Sequence, residues 1–392
     1  MNSSFDNTIS REGTHAEKYE ARMRLFQNTD AEPFWVADMD LPTPPFLVEA
    51  LEKRVAHPIY GYTELDAGQF PSIQWWMKNE HFLNVDRAWI RMSPSVVTSM
   101  NMAIQCMSNK GDNVVLMSPV YGPFFSSTTN NDRVVLDVPL INRTSRYEVD
   151  FGALERALQH PRTSMMLLCN PHNPGGHVFT KSELEQIVSL CTANNVKIFC
   201  DEIHCDIVFS PNRHVPLLSI EGAREISIIG LSIGKAFNTS GLQASFALIP
   251  DETIRKSFSK YQSRAHCGDI NLLGKIALKT ALSPQGVLYK KELVNYLYNN
   301  TRQVCERLGS VSNLPVMTPE ATYLVWVDFR HFGSPAKVMH RLLTEAKILL
   351  SGGGFFGPTG EGFFRINCAH PAPKLFPAVD RIVEMLESKS MP

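Results

Sequence analysis

Between about Gly111 and Pro250, short apolar runs rich in β-branched residues alternate with polar or amphipathic stretches. The apolar runs are NVVLMSP, RVVLDVPL, SMMLLCNP, VKIFCDEIH, ISIIGLSI and ASFALIP. Runs that are apolar throughout are typical of strands buried on both faces, whereas a surface helix shows an apolar stripe every 3.6 residues. The clearest such helix begins at TKSELEQIVSL, where Thr180 and Glu183 form a capping-box pattern. The alternation predicts an α/β fold with a mostly parallel sheet covered by helices on both sides.

The pattern changes from about Ser283 onward. A long polar helix is followed by the strand-like ATYLVWVDF, a shorter helix, the strand-like GFFRINCAH and a last helix. This order predicts a second, smaller α/β domain. We therefore divide the chain into residues 1–45, an N-terminal segment that packs on the small domain, residues 46–285, the large domain, and residues 286–392, the small domain.

Composition narrows the function classes. A formal net charge of -1 over 392 residues gives no electrostatic argument for nucleic acid or an anionic membrane surface as a partner. The first residues, MNSSFDNTISREG, lack the basic and then apolar pattern of a signal peptide, and no apolar run reaches spanning length. We expect a cytoplasmic protein that acts on a small molecule.

The eight cysteines are scattered, and no C-x-x-C pair occurs. Several lie inside apolar runs, which favours small buried side chains over a disulfide framework. The stretch CDEIHC offers Cys200, His204 and Cys205 as three possible metal ligands. A zinc site needs further ligands at suitable spacing, and none lies nearby in sequence, so we expect no metal.

Two charged residues follow strand-like runs. Asp201 comes directly after VKIFC, and a carboxylate there needs a cationic or hydrogen-bonding partner. It either caps the next turn or holds a proton on a pyridine-type nitrogen. Lys235, in LSIGKAFNTSGLQASF, lies between an apolar strand and a run of small residues. It is either solvated or kept there to react covalently with a carbonyl cofactor.

Two further stretches offer ligand contacts. CNPHNPGG holds Asn170 and Asn173 in a loop with two prolines, so the Asn-Pro bonds are candidates for the cis isomer. The loop is either an ordinary tight turn or a pair of amides placed to bond a ligand oxygen. Ser95, Val96 and Val97 begin a predicted helix, and the free N–H groups of a helix start suit a phosphate, although many helices start with serine and bind nothing.

Four segments together are more specific than any of these features alone. SIGKAFN, DEIH, NPHNPGG and FFRIN occur in the order typical of pyridoxal-phosphate (PLP) enzymes of the aspartate-aminotransferase fold, fold type I. The stretch WVADMDLPTPPFLVEALEKRVAHPIYGYTE, with DEIHCD and GLQAS, resembles the MalY/PatB cystathionine β-lyase (carbon–sulfur lyase) subgroup. The resemblance covers essentially the whole chain. It implies a large PLP-binding domain with a seven-stranded type of sheet, plus a smaller α/β domain.

The resemblance implies a set of residues around the cofactor ring. Lys235 matches the lysine that bonds covalently to the cofactor aldehyde, and Asp201 matches the aspartate on the pyridine nitrogen. Tyr121 matches the aromatic residue stacked on the ring, and with these two it forms the implied catalytic set. Asn173 matches the asparagine bonded to the ring hydroxyl, and His204 stands where many relatives have a tyrosine near that hydroxyl.

The resemblance also implies a phosphate cradle. Ser95, Val96, Val97 and Ser232 match its residues in one subunit. Tyr62 matches a tyrosine that reaches the phosphate from the neighbouring subunit. The resemblance therefore implies a homodimer.

The substrate contacts follow in the same way. Arg365 matches the arginine that binds the substrate α-carboxylate, and Asn173 and Ala37 are assigned to the same substrate site. We expect the shape of the substrate pocket to come from loops near residues 39–45 and 265–271.

The implied reaction is an α,β-elimination that cleaves L-cystathionine or a related cysteine S-conjugate into a thiol, pyruvate and ammonia. Lys235 is the best-placed base for the Cα proton. The alternatives are an aminotransferase of class I/II, which shares these residues, and a non-catalytic regulatory protein that keeps the fold. Many aminotransferases of this fold carry an arginine where this chain has Gln243, a difference that favours the lyase.

Overall fold

A computed structural model describes residues 4–64 and 68–388. The α-helices, numbered in chain order, are α1 (Glu17–Phe26), α2 (Pro45–Val55), α3 (Gln69–Glu80), α4 (Val96–Met107), α5 (Pro123–Asn130), α6 (Phe151–Leu158), α7 (Lys181–Ala193), α8 (Glu252–Ala265), α9 (Leu272–Ala281), α10 (Pro284–Gly309), α11 (Pro335–Arg341) and α12 (Ala372–Glu387). The strands are β1 (Glu32–Pro33), β2 (Ile90–Ser93), β3 (Asn113–Leu116), β4 (Val134–Asp137), β5 (Ile141–Asn142), β6 (Tyr147–Glu148), β7 (Thr163–Cys169), β8 (Lys197–Asp201), β9 (Ser227–Ser232), β10 (Ser245–Leu248), β11 (Val316–Met317), β12 (Leu324–Asp328), β13 (Ile348–Leu349), β14 (Ser351–Gly352) and β15 (Phe363–Asn367).

The large sheet has seven strands in the order β2-β10-β9-β8-β7-β3-β4. The pairs from β9 through β8, β7 and β3 to β4 are parallel, and β10 runs antiparallel to both of its neighbours. The six apolar runs read from the sequence contain the strands β3, β4, β7, β8, β9 and β10. The predicted α/β fold with a mostly parallel sheet is therefore confirmed.

Helix starts follow the local sequence. Thr180 accepts a hydrogen bond from the Glu183 backbone while the Glu183 carboxylate bonds the Thr180 backbone, so α7 begins with the predicted capping box. Helix α4 packs directly on the sheet beside β9. A Cβ added at Gly230 would lie 2.6 Å from Val96 Cγ1 and 2.9 Å from Phe199 Cζ, so only glycine permits this approach.

The C-terminal part builds its own antiparallel sheet, in the order β11-β12-β15-β14. Helices α10 and α12 pack against each other and cover a separate apolar core under this sheet. The N-terminal segment joins it, because β1 pairs in parallel with β13 and the Asn367 side chain donates to the carbonyls of Val36 and Asp38 at 2.6 Å each. The boundaries drawn at residues 45 and 285 stay a prediction.

Each of the eight cysteines is a free thiol, and five of them are buried. Both Asn-Pro bonds of the CNPHNPGG loop are cis. None of the helices within the described ranges combines the length and the apolar character that a bilayer crossing needs.

Candidate active site

A cavity of about 690 Å³ opens between the large sheet, the small sheet and the N-terminal segment. Most of the residues predicted to bind a cofactor or substrate line it. These are Ala37, Ser95, Val96, Val97, Tyr121, Asn173, Asp201, His204, Lys235 and Arg365.

The topology of the sheet explains how distant residues meet here. Strands β7, β8 and β9 are parallel neighbours, so their carboxyl ends lie side by side at one edge of the sheet. Asp201 ends β8, Asn173 follows β7, and Lys235 follows β9. A crevice outside the carboxyl ends of parallel strands is the usual place for a ligand in this type of sheet.

Lys235 is held by the N-terminal segment. Its Nζ donates to the carbonyl of Ala37 at 2.6 Å, and the same carbonyl accepts from the Tyr323 hydroxyl at 2.8 Å. Burial, and then the positive charge of Arg365, lower the pKa of Lys235 to about 8. A substantial fraction of the amine is therefore neutral near pH 8, which is the form that attacks a carbonyl or accepts a proton.

Asp201 and His204 are buried beside each other at the end of β8. The Asp201 carboxylate accepts from the backbone N–H of Ile203 at 3.0 Å, and burial raises the pKa of Asp201 to about 6. Burial also holds the pKa of His204 well below its ordinary value, so the ring is neutral. Among the described residues, His204 Nδ1 has no hydrogen-bond partner. A buried acid and an unpartnered ring nitrogen beside a cavity suit a ligand with polar atoms.

Arg365 lies in the middle of β15 and points into the cavity from the small sheet. Its Nη1 donates to Asn173 Oδ1 at 2.9 Å, and its Nη2 donates to the carbonyl of Trp35 at 2.9 Å and to Ser351 Oγ at 3.3 Å. The guanidinium also stacks 4.8 Å from the centre of the Phe356 ring. Nε has no partner within the described chain. A buried guanidinium without a carboxylate partner suits a carboxylate ligand.

The N-terminus of α4 offers an anion site. Ser95 is its N-cap, since its Oγ accepts from the Thr98 backbone N–H at 3.0 Å, and this leaves the amides of Val96 and Val97 facing the cavity wall. The first amides of an α-helix have no acceptor within the helix, and the helix dipole places positive charge there. Together with Lys235, these groups fit a phosphorylated ligand that carries a carbonyl.

The ring of Tyr121 forms one wall of the cavity. It meets the Phe355 ring edge to face, with the centres 5.9 Å apart. Burial raises the pKa of Tyr121, so its hydroxyl stays protonated at neutral pH.

Two of the predicted cofactor residues do not line the cavity of one chain. Ser232 Oγ donates to the carbonyl of Ala244 at 2.9 Å and accepts from the backbone N–H of Gly234 at 3.0 Å, so it braces the turn that leads to Lys235. Tyr62 is fully exposed. Their predicted phosphate contacts stay predictions.

The cysteine and histidine of CDEIHC do not converge. His204 faces the cavity, whereas Cys205 Sγ lies 3.8 Å from His81 Nε2 in a separate buried cluster that includes Asp206. Asp206 is also an ion-pair partner of Lys290, whose Nζ lies 3.3 Å from its Oδ1. The ammonium and the indole of Trp76 already satisfy this carboxylate.

Several residues of the cavity were missed from the sequence. Its outer part is formed by one face of α1 and by the turn after β14, and its residues include Glu17, Leu25, Phe26, Trp35 and Phe355. The expectation that residues 39–45 and 265–271 shape the pocket is wrong for this cavity, which none of them lines. Only Trp35 carried a signal, because it opens the WVADMD stretch.

A buried ionic cluster fixes the N-terminal segment near Lys235. Lys18 is fully buried, and its Nζ lies 3.1 Å from Asp38 Oδ1 and Asp40 Oδ1 and 3.3 Å from His370 Nε2. His370 Nδ1 lies 3.2 Å from Asp40 Oδ2. Since a ring nitrogen that faces an ammonium must accept, His370 is neutral, in agreement with its pKa of about 4, which burial and then Lys18 lower.

Comparison with known proteins identifies the class. The chain belongs to the family aminotransferase class I and II, whose model matches residues 37–382. Cystathionine beta-lyase PatB of Bacillus subtilis is 37% identical over 366 residues, which are 93% of this chain and 94% of that protein. The predicted family is confirmed.

Solved structures give the same result. Cystalysin from Treponema denticola, which contains pyridoxal 5'-phosphate, matches with a TM-score of 0.93 at 27% identity over 98% of this chain and 99% of that chain. The PLP-bound C-S lyase from Staphylococcus hominis matches with a TM-score of 0.91 at 28% identity over 99% of each chain. The predicted fold type is confirmed, and the predicted cofactor agrees with these PLP-containing structures.

Proposed function

We propose that this protein is a PLP-dependent carbon–sulfur β-lyase that cleaves L-cystathionine or related S-substituted L-cysteines. The overall reaction consumes one water and releases a thiol, pyruvate and ammonia, with no net oxidation or reduction. The observation that carries the proposal is the convergence of Lys235, Asp201 and Arg365 on one cavity in a chain that is 37% identical to a cystathionine β-lyase over nearly its whole length.

The residues fit the cofactor. Lys235 Nζ would hold its aldehyde carbon, the amides of Val96 and Val97 its phosphate, and Asp201 its ring nitrogen. Bound PLP supplies a ring that accepts the electron pair released at the substrate Cα. A cationic partner would also stabilise the Asp201 carboxylate, which burial alone makes a weaker acid.

The substrate is oriented by Arg365. A bidentate contact from its guanidinium to the α-carboxylate fixes the carboxylate plane, and Asn173 Oδ1 at 2.9 Å holds the guanidinium in place. Burial and the pairing with the Trp35 carbonyl leave the guanidinium little freedom to turn away. Orientation of this kind sets which bond at Cα is aligned for cleavage.

Lys235 moves the proton. Once the substrate amine has taken its place on the cofactor, the free Nζ is the base within reach of the Cα–H bond, and its pKa of about 8 suits proton transfer near neutral pH. The carbonyl of Ala37, 2.6 Å from Nζ, keeps the amine pointed into the cavity. Tyr121 can donate its hydroxyl proton to the departing sulfur, since burial keeps the phenol protonated.

The test uses the purified protein loaded with PLP and given L-cystathionine without any keto acid. We expect pyruvate and thiol to form in equal amounts over many turnovers. No pyruvate from cystathionine, S-alkyl cysteines or cysteine, from a preparation with full cofactor content, would contradict the proposal and favour a regulatory role.

Amino-group transfer is the second candidate, because the family that the chain belongs to is named for it. It shares each residue up to removal of the Cα proton and differs in where a proton returns. The same experiment separates the two. An aminotransferase stops after one turnover without a keto acid and resumes when a keto acid is added.

We also infer a homodimer in which Tyr62 reaches the phosphate of the partner's site. In support, Tyr62 is fully exposed, and its neighbours Ile59 and Tyr60 are 67% and 61% exposed. Mixing inactive Tyr62→Ala and Lys235→Ala chains tests this. If Tyr62 acts across the interface, mixed dimers hold one intact site and regain activity, whereas a Tyr62 that acts within its own chain gives the same recovery only at the other site, so labelling of the active Lys235 chain decides. The cytoplasmic location stays a prediction.

A further inference from the structure

The cavity has two ends of different chemistry. The inner end holds the groups assigned to the cofactor and to the α-carboxylate, among them both cations that line the cavity, Lys235 and Arg365. The outer end is formed by Leu25, Phe26 and Phe355, which are apolar. Of the described side chains lining the cavity, Glu17 is the one carboxylate at the outer end.

The outer wall is anchored. Trp35 Nε1 donates to the carbonyl of Lys18 at 2.9 Å, and the ring of Phe26 meets the Trp35 ring edge to face at 5.2 Å. Lys18 itself is fully buried in its ion cluster. Helix α1 therefore presents a fixed face to the cavity, with Glu17 in its first turn, where the helix dipole favours a negative charge.

Glu17 also faces the reacting centre. Its charge acts on the hydroxyl of Tyr121, which together with the other residues near that phenol places the carboxylate within electrostatic reach of the cavity. A substrate held at its α-carboxylate by Arg365 extends its sulfur substituent away from Arg365. The outer end is the remaining space for that substituent.

We propose, on the basis of the lyase function above, that the outer end binds the leaving group and that Glu17 selects its charge. Thioethers whose sulfur substituent is apolar or ends in a cation are preferred over those whose substituent ends in a carboxylate. A distal carboxylate would meet Glu17 with no cation of this chain beside it. L-cystathionine, whose distal end carries both charges, gains from one contact and loses from the other.

The test compares three substrates of similar size. S-(2-aminoethyl)-L-cysteine ends in an ammonium, S-propyl-L-cysteine in a methyl group and S-carboxymethyl-L-cysteine in a carboxylate. Pyruvate release gives kcat/KM for each with the PLP-loaded parent protein and with Glu17→Gln. Because each ratio compares one substrate in two proteins, the different leaving ability of the three thiolates cancels.

We expect Glu17→Gln to lower kcat/KM for the aminoethyl substrate about threefold to fivefold and to raise it by a similar factor for the carboxymethyl substrate, the size typical of a solvent-accessible ion pair. The propyl substrate should change less than either. Glu20→Gln is the matched control, since Glu20 is an exposed carboxylate on the same helix that does not line the cavity. It should leave all three values unchanged.

Two results can be told apart from this one. Equal changes for all three substrates, or none, would overturn the charge selection while leaving the lyase function intact. Absence of pyruvate from all three with the parent protein would remove the lyase function itself.

Discussion

The inner and outer ends of the cavity are built in different ways. The inner end lies at the carboxyl ends of three parallel strands, where Asp201, Asn173 and Lys235 are separated by a few residues from buried backbone ladders. The outer end is made by a ten-residue helix near the N-terminus and by a turn after the two-residue strand β14. No continuous sheet joins these two outer elements.

The difference assigns separate tasks to the two ends. Covalent and proton chemistry tolerates little misplacement, so it benefits from strand ends whose positions are fixed by the sheet. Discrimination between leaving groups needs only a wall of suitable shape and charge. A wall made of separate segments can change without disturbing the strands. Changes at the inner end should therefore reduce turnover, and changes at the outer end should alter which substrate is preferred or how the segment is held.

The largest effect is expected from Lys235→Ala. Loss of both the covalent attachment and the proton-transferring amine should lower turnover by about 10³-fold or more. Initial rates of pyruvate release measure it. Lys291→Ala, at an exposed position on α10, is the control and should keep the parent rate. A Lys235→Ala rate within tenfold of the parent would show that the inner end does not hold the reacting amine.

A smaller effect is expected from Arg365→Lys. Lysine keeps the charge but cannot make two parallel bonds to a carboxylate, and it leaves Asn173 Oδ1 without its partner at 2.9 Å. The cost of one charged hydrogen bond, about 1.5–3 kcal/mol, corresponds to a rise in KM of roughly 10-fold to 100-fold. Steady-state kinetics separate KM from kcat. A fall in kcat alone, at unchanged KM, would argue against a substrate clamp.

The sequence predicted the inner end well. The apolar runs located the strands, and polar residues directly after them, such as Asp201 and Asn173, fell at one sheet edge because parallel neighbours end together. The motifs then distinguished Lys235 from the other lysines. Ser232 was read as a ligand contact from its place before the lysine, but in the single chain its hydroxyl is used to brace the turn.

The outer end could not be predicted in the same way. Glu17 and Phe355 are 338 positions apart, and neither lies in a motif, so only the folded chain brings them to one wall. The loops expected to shape the pocket, residues 39–45 and 265–271, were chosen because they flank motifs. The segment around residue 39 instead serves as a brace, since the Asn238 side chain bonds the backbone of Met39.

The smallest effect is expected at the anchor of the N-terminal segment, and it depends on pH. The folded protein holds His370 neutral down to about pH 4, whereas the unfolded chain takes up that proton near pH 6.5. The free energy of unfolding should therefore fall as the pH drops from 6.5 to 4. His370→Gln removes this contribution, so over that range the parent should lose about 1–3 kcal/mol more than the variant.

Urea unfolding of the two proteins at pH 6.5 and pH 4 measures the difference. His172, His177 and His204 also have lowered pKa values from burial, but they are present in both proteins and cancel. Equal losses in parent and variant would show that His370 carries a proton in the folded state, and hence that the Lys18 cluster is arranged differently.

The measurement that reaches furthest is the identity of the residue bonded to the cofactor. The PLP-loaded protein is reduced with borohydride, digested, and its peptides are mapped by mass spectrometry. The modified peptide should span Leu231 to Phe246 with the pyridoxyl mass on Lys235. A stable adduct on another lysine, or none in a protein that retains the cofactor, would contradict the assignment on which the proposed chemistry rests.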